Sequence, residues 1–271
     1  MKKNTSFLFI LICTTILLSS CARGLSERDK LLLELNEPEY LMAALWQQTS
    51  SEYRALCYQA FNVARDRIHL DLMKEWPKPR AVIIDLDETL VFNSPYNASG
   101  VMKEQNYPQE FYEWIASGKA TLIPGAKEFL EYINKEGYEI FYVTNRRDES
   151  TDITLQQIID LGVPQANSEH LLMRGTDHTK QGRRDKVAEE YVVILYIGDN
   201  CVDFLGDFYN ASIEERKGVV VRNKEKWGRN FIILPNPMHG SWKKALYYGK
   251  GNLTDAEKLQ LKIDLLETVD E

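Results

Sequence analysis

Ala81-Val82-Ile83-Ile84-Asp85-Leu86-Asp87-Glu88-Thr89 decides the fold. An unbroken apolar run suits a strand buried on both faces, as in the middle of a parallel sheet. Two carboxylates stand where that strand must end. The same shape recurs downstream. Glu139-Ile140-Phe141-Tyr142-Val143 runs into Thr144, and Val192 to Ile197 runs into Gly198-Asp199. Gly218-Val219-Val220-Val221 and Phe231-Ile232-Ile233-Leu234 read as two further strands. Amphipathic segments at Pro124–Glu136 and Thr151–Leu161 read as helices between them. Strands alternating with helices predict an α/β protein with a Rossmann-like, doubly wound parallel sheet.

Two stretches stand outside this alternation. From Glu39 to about Lys74 the apolar spacing is helical, with a break expected at Ser50 or Ser51 and a stop at Trp76-Pro77-Lys78-Pro79. From about Asn93 to Leu122 the chain is aromatic and polar and reads as a cap inserted over the strand ends. The expected organisation is a signal peptide at 1–20, a tether at 21–37, helices of a smaller, mainly helical lobe at 38–76, and a core at 77–271 interrupted by the cap at about 93–122.

Met1-Lys2-Lys3, an apolar run from Phe7 to Leu18 and then Leu18-Ser19-Ser20-Cys21 describe a secretory signal. The run is shorter than the roughly 20 residues a spanning helix needs. A cysteine directly after small residues can take a lipid thioether, and this ending resembles a bacterial lipobox, with an ordinary signal peptide as the alternative. Lipidation at Cys21 implies attachment to the cell envelope. Ala22 rather than Asp points to the outer membrane of a Gram-negative bacterium. The formal charge is −7 and no basic run is present, which argues against a nucleic-acid partner. Beyond Cys13 and Cys21 only Cys57 and Cys201 remain. They read as buried free thiols, with a disulfide between them left open. His69, His170 and His178 have no ligand spacing and are expected on the surface.

In a doubly wound sheet, ligands bind beyond the carboxyl ends of the strands. Here those ends carry Asp85 and Asp87; Thr144, Asn145 and Arg146; and Asp199 and Asp203. Carboxylates so clustered repel one another unless a cation sits among them, and a hard divalent ion with oxygen ligands, Mg2+, answers that. Lys180 lies between the second and third of these strands and offers a point charge suited to a phosphoryl oxygen. The bland alternatives are turn capping for Asp85, Asp87 and Asp203, an ordinary turn residue for Thr144, and a solvated basic loop for Lys180.

Asp-x-Asp-x-Thr, a strand ending in Thr, a lysine and Gly-Asp-Asn-x-x-Asp, in that order, resemble the haloacid dehalogenase superfamily of phosphotransferases. Ile84 to Leu90, Asn93-Ser94-Pro95-Tyr96, Pro124-Gly125-Ala126, Tyr142 to Arg146 and Gly198 to Phe204 narrow the resemblance. They are similar to the class C acid phosphatases, which include the outer-membrane lipoprotein e family of 5′-nucleotidases. Glu52 to Leu56 and Gln59 to Asn62 match that family's helical start. The resemblance implies Asp85 as nucleophile and Asp87 as general acid and base. It implies one Mg2+ held by Asp85, the Asp87 carbonyl and Asp199, with Asp203 orienting its waters. Thr144 and Lys180 would bind the phosphoryl oxygens, with Asn145 beside them.

The implied substrates are phosphate monoesters, nucleoside monophosphates among them, and a homodimer is one assembly open to the chain. In the family an aromatic sandwich holds the base. Trp114 is the candidate for one side, or else core, and His239 stands where the second aromatic is expected. Rival readings are a related phosphotransferase or sugar phosphatase, and a surface nutrient- or haem-binding lipoprotein on the same fold.

Overall fold

The computed structural model describes residues 26–269. Cys21 and the signal segment lie outside the described residues. Among those described, no helix is long and apolar enough to cross a membrane.

The strands are β1 (Arg80–Ile84), β2 (Val91–Phe92), β3 (Thr121–Leu122), β4 (Glu139–Val143), β5 (Leu171–Leu172), β6 (Val192–Gly198) and β7 (Phe231–Ile233). Five form one sheet in the order β5-β4-β1-β6-β7, every pair parallel. β1 is therefore central, with Ile84 level with Tyr142 on β4 and Ile197 on β6. Side chains alternate across a strand, and here both faces are covered. Val82 and Ile84 enter the main core with Phe61, Phe129 and Leu195. Ala81 and Ile83 join Val187 of the helix Gln181–Glu190 on the other face. That two-sided burial is why the β1 run lacks polar alternation.

The helix Ser51–Asp71 begins where the break was expected: the Ser50 hydroxyl accepts the Tyr53 amide at 3.0 Å. Tyr53, Cys57, Phe61, Ala64 and Ile68 form its buried stripe at helical spacing. Its last residue, Asp71, is buried and accepts from Tyr138 Oη at 2.8 Å and Trp76 Nε1 at 2.9 Å. This helix packs into the main core, whereas the preceding helix Leu41–Thr49 packs against the cap helix Ser94–Met102. The expected grouping of 38–76 with the smaller lobe is thus split between the two.

Three expectations need correction. Gly218 to Val221 is not a strand; it lies in the helix Ile213–Arg222. Ser212 and Glu215 form a reciprocal capping box that starts the helix, and of the three valines only Val219 is buried. The fifth strand is β5, two residues long and too short to carry a periodic signal. The tether contains a helix, Glu27–Leu33, capped by Ser26 and Asp29, and Asn36 then docks on the Gly100 and Val101 carbonyls. Finally, His170 is not a free surface group. Its ring lies 5.0 Å from Phe141, and its Nε2 is 3.3 Å from Glu139. Cys57 and Cys201 are both free thiols.

β2 and β3 pair antiparallel and bracket the cap, which is built from the helices Ser94–Met102 and Gln109–Ala116. The insertion thus leaves and re-enters the chain just past the end of β1.

Candidate active site

β1 ends at Ile84, and the Asp85 amide donates to the Ile197 carbonyl at 3.0 Å, so the ladder carries Asp85 to the rim before the chain turns. Glu88 adopts a left-handed φ of 58°, and the Leu86 carbonyl accepts from the amides of Leu90 and Val91 at 2.8 Å each. This tight turn sets Asp85 and Asp87 over one cavity. The Thr89 hydroxyl lies 3.2 Å from Asp85 Oδ2 and 3.1 Å from Asp199 Oδ1, bridging the two carboxyls.

Lys180 occupies a left-handed conformation at the start of the helix Gln181–Glu190 and is 3 % exposed. Its ammonium contacts the Asp85 carboxylate and lies 2.7 Å from Asp203 Oδ1. The other Asp203 oxygen accepts the Asn200 amide at 2.9 Å. Gly198 makes room for this carboxylate: a Cβ there would lie 2.4 Å from Asp203 Oδ2. Asp199 is held by Asn236 Nδ2 at 2.7 Å.

Asp87 is gripped by Arg146. Nη2 donates to Oδ1 at 2.7 Å and Nε to Oδ2 at 3.1 Å, while Asn93 Nδ2 adds a bond to Oδ1 at 2.8 Å. Arg146 is in turn fixed by Gln157 Oε1 at 2.8 Å. Sequence reading quoted Arg146 and Asn93 within motifs but gave neither a role. Their partner is distant in the chain or hidden by the turn, and only the cluster of strand ends hinted at them.

The cavity has a volume of about 870 Å³, and Asp85, Asp87, Asn145, Lys180, Asp199, Asp203 and His239 all line it. Two placements differ from expectation. Thr144 is fully buried beneath the lining, with its Oγ1 accepting the Arg146 amide at 3.2 Å. Trp114 does not line the cavity: its Nε1 donates to Asn93 Oδ1 at 2.8 Å, and its ring stacks behind Tyr96 at 6.4 Å. The aromatic wall is instead Tyr96, Tyr107 and Phe111. His178 is exposed, as expected, and also lines the cavity, where it stacks on Tyr209 at 6.3 Å. Asn145 bridges His178 and Arg183, with bonds of 3.2 Å and 2.8 Å. His239 lies 2.9 Å from Glu88 Oε2, whose other oxygen accepts from Asn97.

Charge balance explains the local acidities. Burial, with Asp203 and Asp87 nearby, outweighs Lys180 and pushes the Asp85 carboxyl up to about 7. Burial and the facing Asp203 and Asp85 raise Asp199 as well. Burial also works to raise Asp87, but the Arg146 ion pair overrides it and holds the group below the ordinary carboxylate range. Burial opposes the charged form of Lys180, yet Asp203 and Asp85 win and keep it an ammonium. Asp85, Asp199 and Asp203 each offer an oxygen within 4.8 Å of the others. One lysine cannot neutralise three such carboxylates. Their excess negative charge and all-oxygen donor set fit a hard divalent cation.

Comparison with known proteins places this site in a family. A model of the haloacid dehalogenase superfamily, subfamily IIIB (acid phosphatase), matches residues 33–242. The chain is also similar to the class C acid phosphatase of Bacillus anthracis in two solved structures, one of them a crystal structure with tungstate bound. In both, identity is 37 % over 86 % of this chain and 98 % of that one, with TM-scores of 0.82 and 0.81. Acid phosphatase 1 of Solanum lycopersicum is 26 % identical over 166 residues, 58 % of this chain, and the match spans 57 % of the tomato protein's length. The chain belongs to the subfamily IIIB acid phosphatases, hydrolases acting on phosphate monoesters.

Burial opposes protonation of His239, but Glu88 prevails and raises its pKa to about 9. A folded value above the unfolded one, about 6.5, means the pair stabilises fully below that pH and loses its contribution as pH climbs through 9. In chelated protein, His239→Gln is expected to lower Tm more at about pH 6 than at about pH 9.5. Equal losses at both would remove the charged pair from the account.

Proposed function

We propose that this chain is a Mg2+-dependent phosphomonoesterase of the 5′-nucleotidase type, anchored to the cell envelope through Cys21. The observation that carries the reaction is Lys180 locked between Asp85 and Asp203 at the end of β1, with Asp199 beside them. Lys180 holds one Asp85 oxygen, and the other, beside the Thr89 hydroxyl at 3.2 Å, attacks phosphorus in line. As the Asp85–phosphorus bond forms, the bond to the leaving ester oxygen breaks, and that oxygen takes its electron pair and a proton from Asp87. Water then attacks the aspartyl-phosphate and gives its proton to Asp87, and Asp85 is released with inorganic phosphate. Asp85 and Asp199, with Asp203 behind them, would hold Mg2+. The ion supplies charge neutralisation to the phosphoryl oxygens. Lys180 shares that task electrostatically.

The bonds around Asp87 support a division of roles between its two oxygens. Oδ1 takes the two shortest contacts, from Arg146 and Asn93, while Oδ2 has only the 3.1 Å contact and is the oxygen that carries the proton. Because Arg146 keeps Asp87 acidic, its protonated fraction rises toward low pH, which suits a first step that favours acid conditions. Trp114 acts here by holding Asn93, which holds Asp87. The wall of Tyr96, Tyr107 and Phe111 offers apolar faces for a nucleobase. A nutrient- or haem-binding reading finds no support in a cavity whose floor is carboxylates.

Asp85→Asn is expected to abolish turnover of adenosine 5′-monophosphate and of an aryl phosphate, and chelation to do the same to wild type until Mg2+ is restored. Turnover retained in either case sinks the nucleophile or the metal. Trp114→Phe removes the bond to Asn93 and is expected to slow an alkyl phosphate roughly tenfold or more, but 4-nitrophenyl phosphate little, since only the poor leaving group needs the acid. Equal losses would make Trp114 a packing residue, and a KM effect confined to nucleotides would make it a base-stacking one. Cys21→Ser is expected to move the protein from the membrane fraction to the soluble one.

A further inference from the structure

The cavity is partitioned by charge. Its five acidic lining residues, Asp85, Asp87, Glu88, Asp199 and Asp203, all belong to the strand-end cluster. Each is already held, by Lys180, Arg146, His239, Asn236 and Lys180 respectively. The rest of the lining carries cations and no acid: Arg174, Lys243, Lys244 and Lys250. Lys243 and Lys244 sit on the short helix Ser241–Ala245, and Lys250 follows in the turn where its amide donates to the Tyr247 carbonyl. Lys243 is placed by its ammonium, 4.0 Å from the centre of the Tyr40 ring. Among the described residues, Arg174, Lys244 and Lys250 make no ion pair.

Such a cluster is unexpected in a chain of formal charge −7. Unpaired cations facing a cavity repel one another, and an anion relieves that repulsion. The bound phosphoryl group cannot be the anion, because Lys180 and the metal site already serve it at the floor. The volume of about 870 Å³ also exceeds what a single phosphate fills and lies toward the upper end for small-molecule sites.

We propose that this outer region is a subsite for a second phosphate, so that the preferred substrate is a small molecule phosphorylated at two positions. One phosphate would be hydrolysed at Asp85 while the other rests on Lys244 and Lys250, with Arg174 and Lys243 adding to the local field. A lysine ammonium is a mobile point charge suited to a phosphate whose position varies with the molecule between the two groups. The proposal rests on the phosphatase reading and adds to it the class of substrate. The competing account is general steering, in which rim cations speed the arrival of any phosphate alike.

The test compares initial kcat/KM for phosphate release from adenosine 3′,5′-bisphosphate, adenosine 5′-monophosphate and adenosine 3′-monophosphate, with Mg2+ at fixed ionic strength. Wild type is expected to favour the bisphosphate by roughly tenfold, the scale of a few exposed ion pairs. In Lys244→Met/Lys250→Met that preference is expected to collapse toward unity, chiefly through KM. No preference in wild type overturns the proposal, as does a variant in which all three substrates fall by one factor, which is steering. If wild type turns over none of the three, the phosphatase reading itself has failed. Calorimetric titration of the Asp85→Asn protein with the same three compounds then decides the subsite separately. Tighter binding of the bisphosphate, abolished by adding Lys244→Met/Lys250→Met, keeps the subsite, and equal binding of all three removes it.

Discussion

A single buried ammonium organises the catalytic end of this protein. Lys180 sits between Asp85 and Asp203, almost wholly removed from water. Unpaired, any of these three charges would be costly to bury. Together they force β1, the start of the helix Gln181–Glu190 and the segment after β6 to meet at one point. Lys180 adopts a left-handed backbone to reach it, and Gly198 gives up a side chain so that Asp203 fits. The cluster still has two negative charges too many once Asp199 is counted. That imbalance raises the Asp85 and Asp199 carboxyls and marks the place of a divalent cation.

A second ion pair divides the labour of the two motif aspartates. Asp85 and Asp87 are separated by one residue, yet burial dominates the first and Arg146 the second. The backbone turn at Glu88 sends their side chains to different partners. Identical groups thereby acquire different acidities. The network behind Asp87 runs through Asn93 to Trp114, so the cap is bonded to the reacting end of the core rather than merely resting above it.

Much of this was legible in the chain because strand ends carry periodic and chemical signals together. The runs ending at Asp85, Thr144 and Asp199 are apolar on both faces, and the structure puts all three side by side as β1, β4 and β6. Where the signal was composition alone, it misled. Three valines suggested a strand at Gly218 to Val221, but the capping box at Ser212 and Glu215 starts a helix first, and local hydrogen bonds outweigh β-propensity. Two-residue strands such as β5 have no period to detect. In the site, aromatic side chains were harder to place than charged ones. Trp114 looked like a stacking platform because it is aromatic and lies in the cap. Only the fold shows that Tyr96 stands in front of it and that its indole nitrogen faces Asn93. His239 lines the cavity, and its ring nitrogen also meets Glu88, a contact that nothing in the sequence announces.

The two-stranded ribbon of β2 and β3 closes the cap into a loop whose ends are already paired. A loop closed at its base contributes little to the register of the five-stranded sheet, and lengthening it carries only a slowly growing entropic cost. The insertion can therefore change in length or in its helices with little effect on the sheet beneath it. One position resists this freedom. Asn93 is the first residue after β2 and already bonds Asp87, so any replacement cap must preserve that residue at its threshold or lose the bond that ties the cap to the strand-end carboxylates.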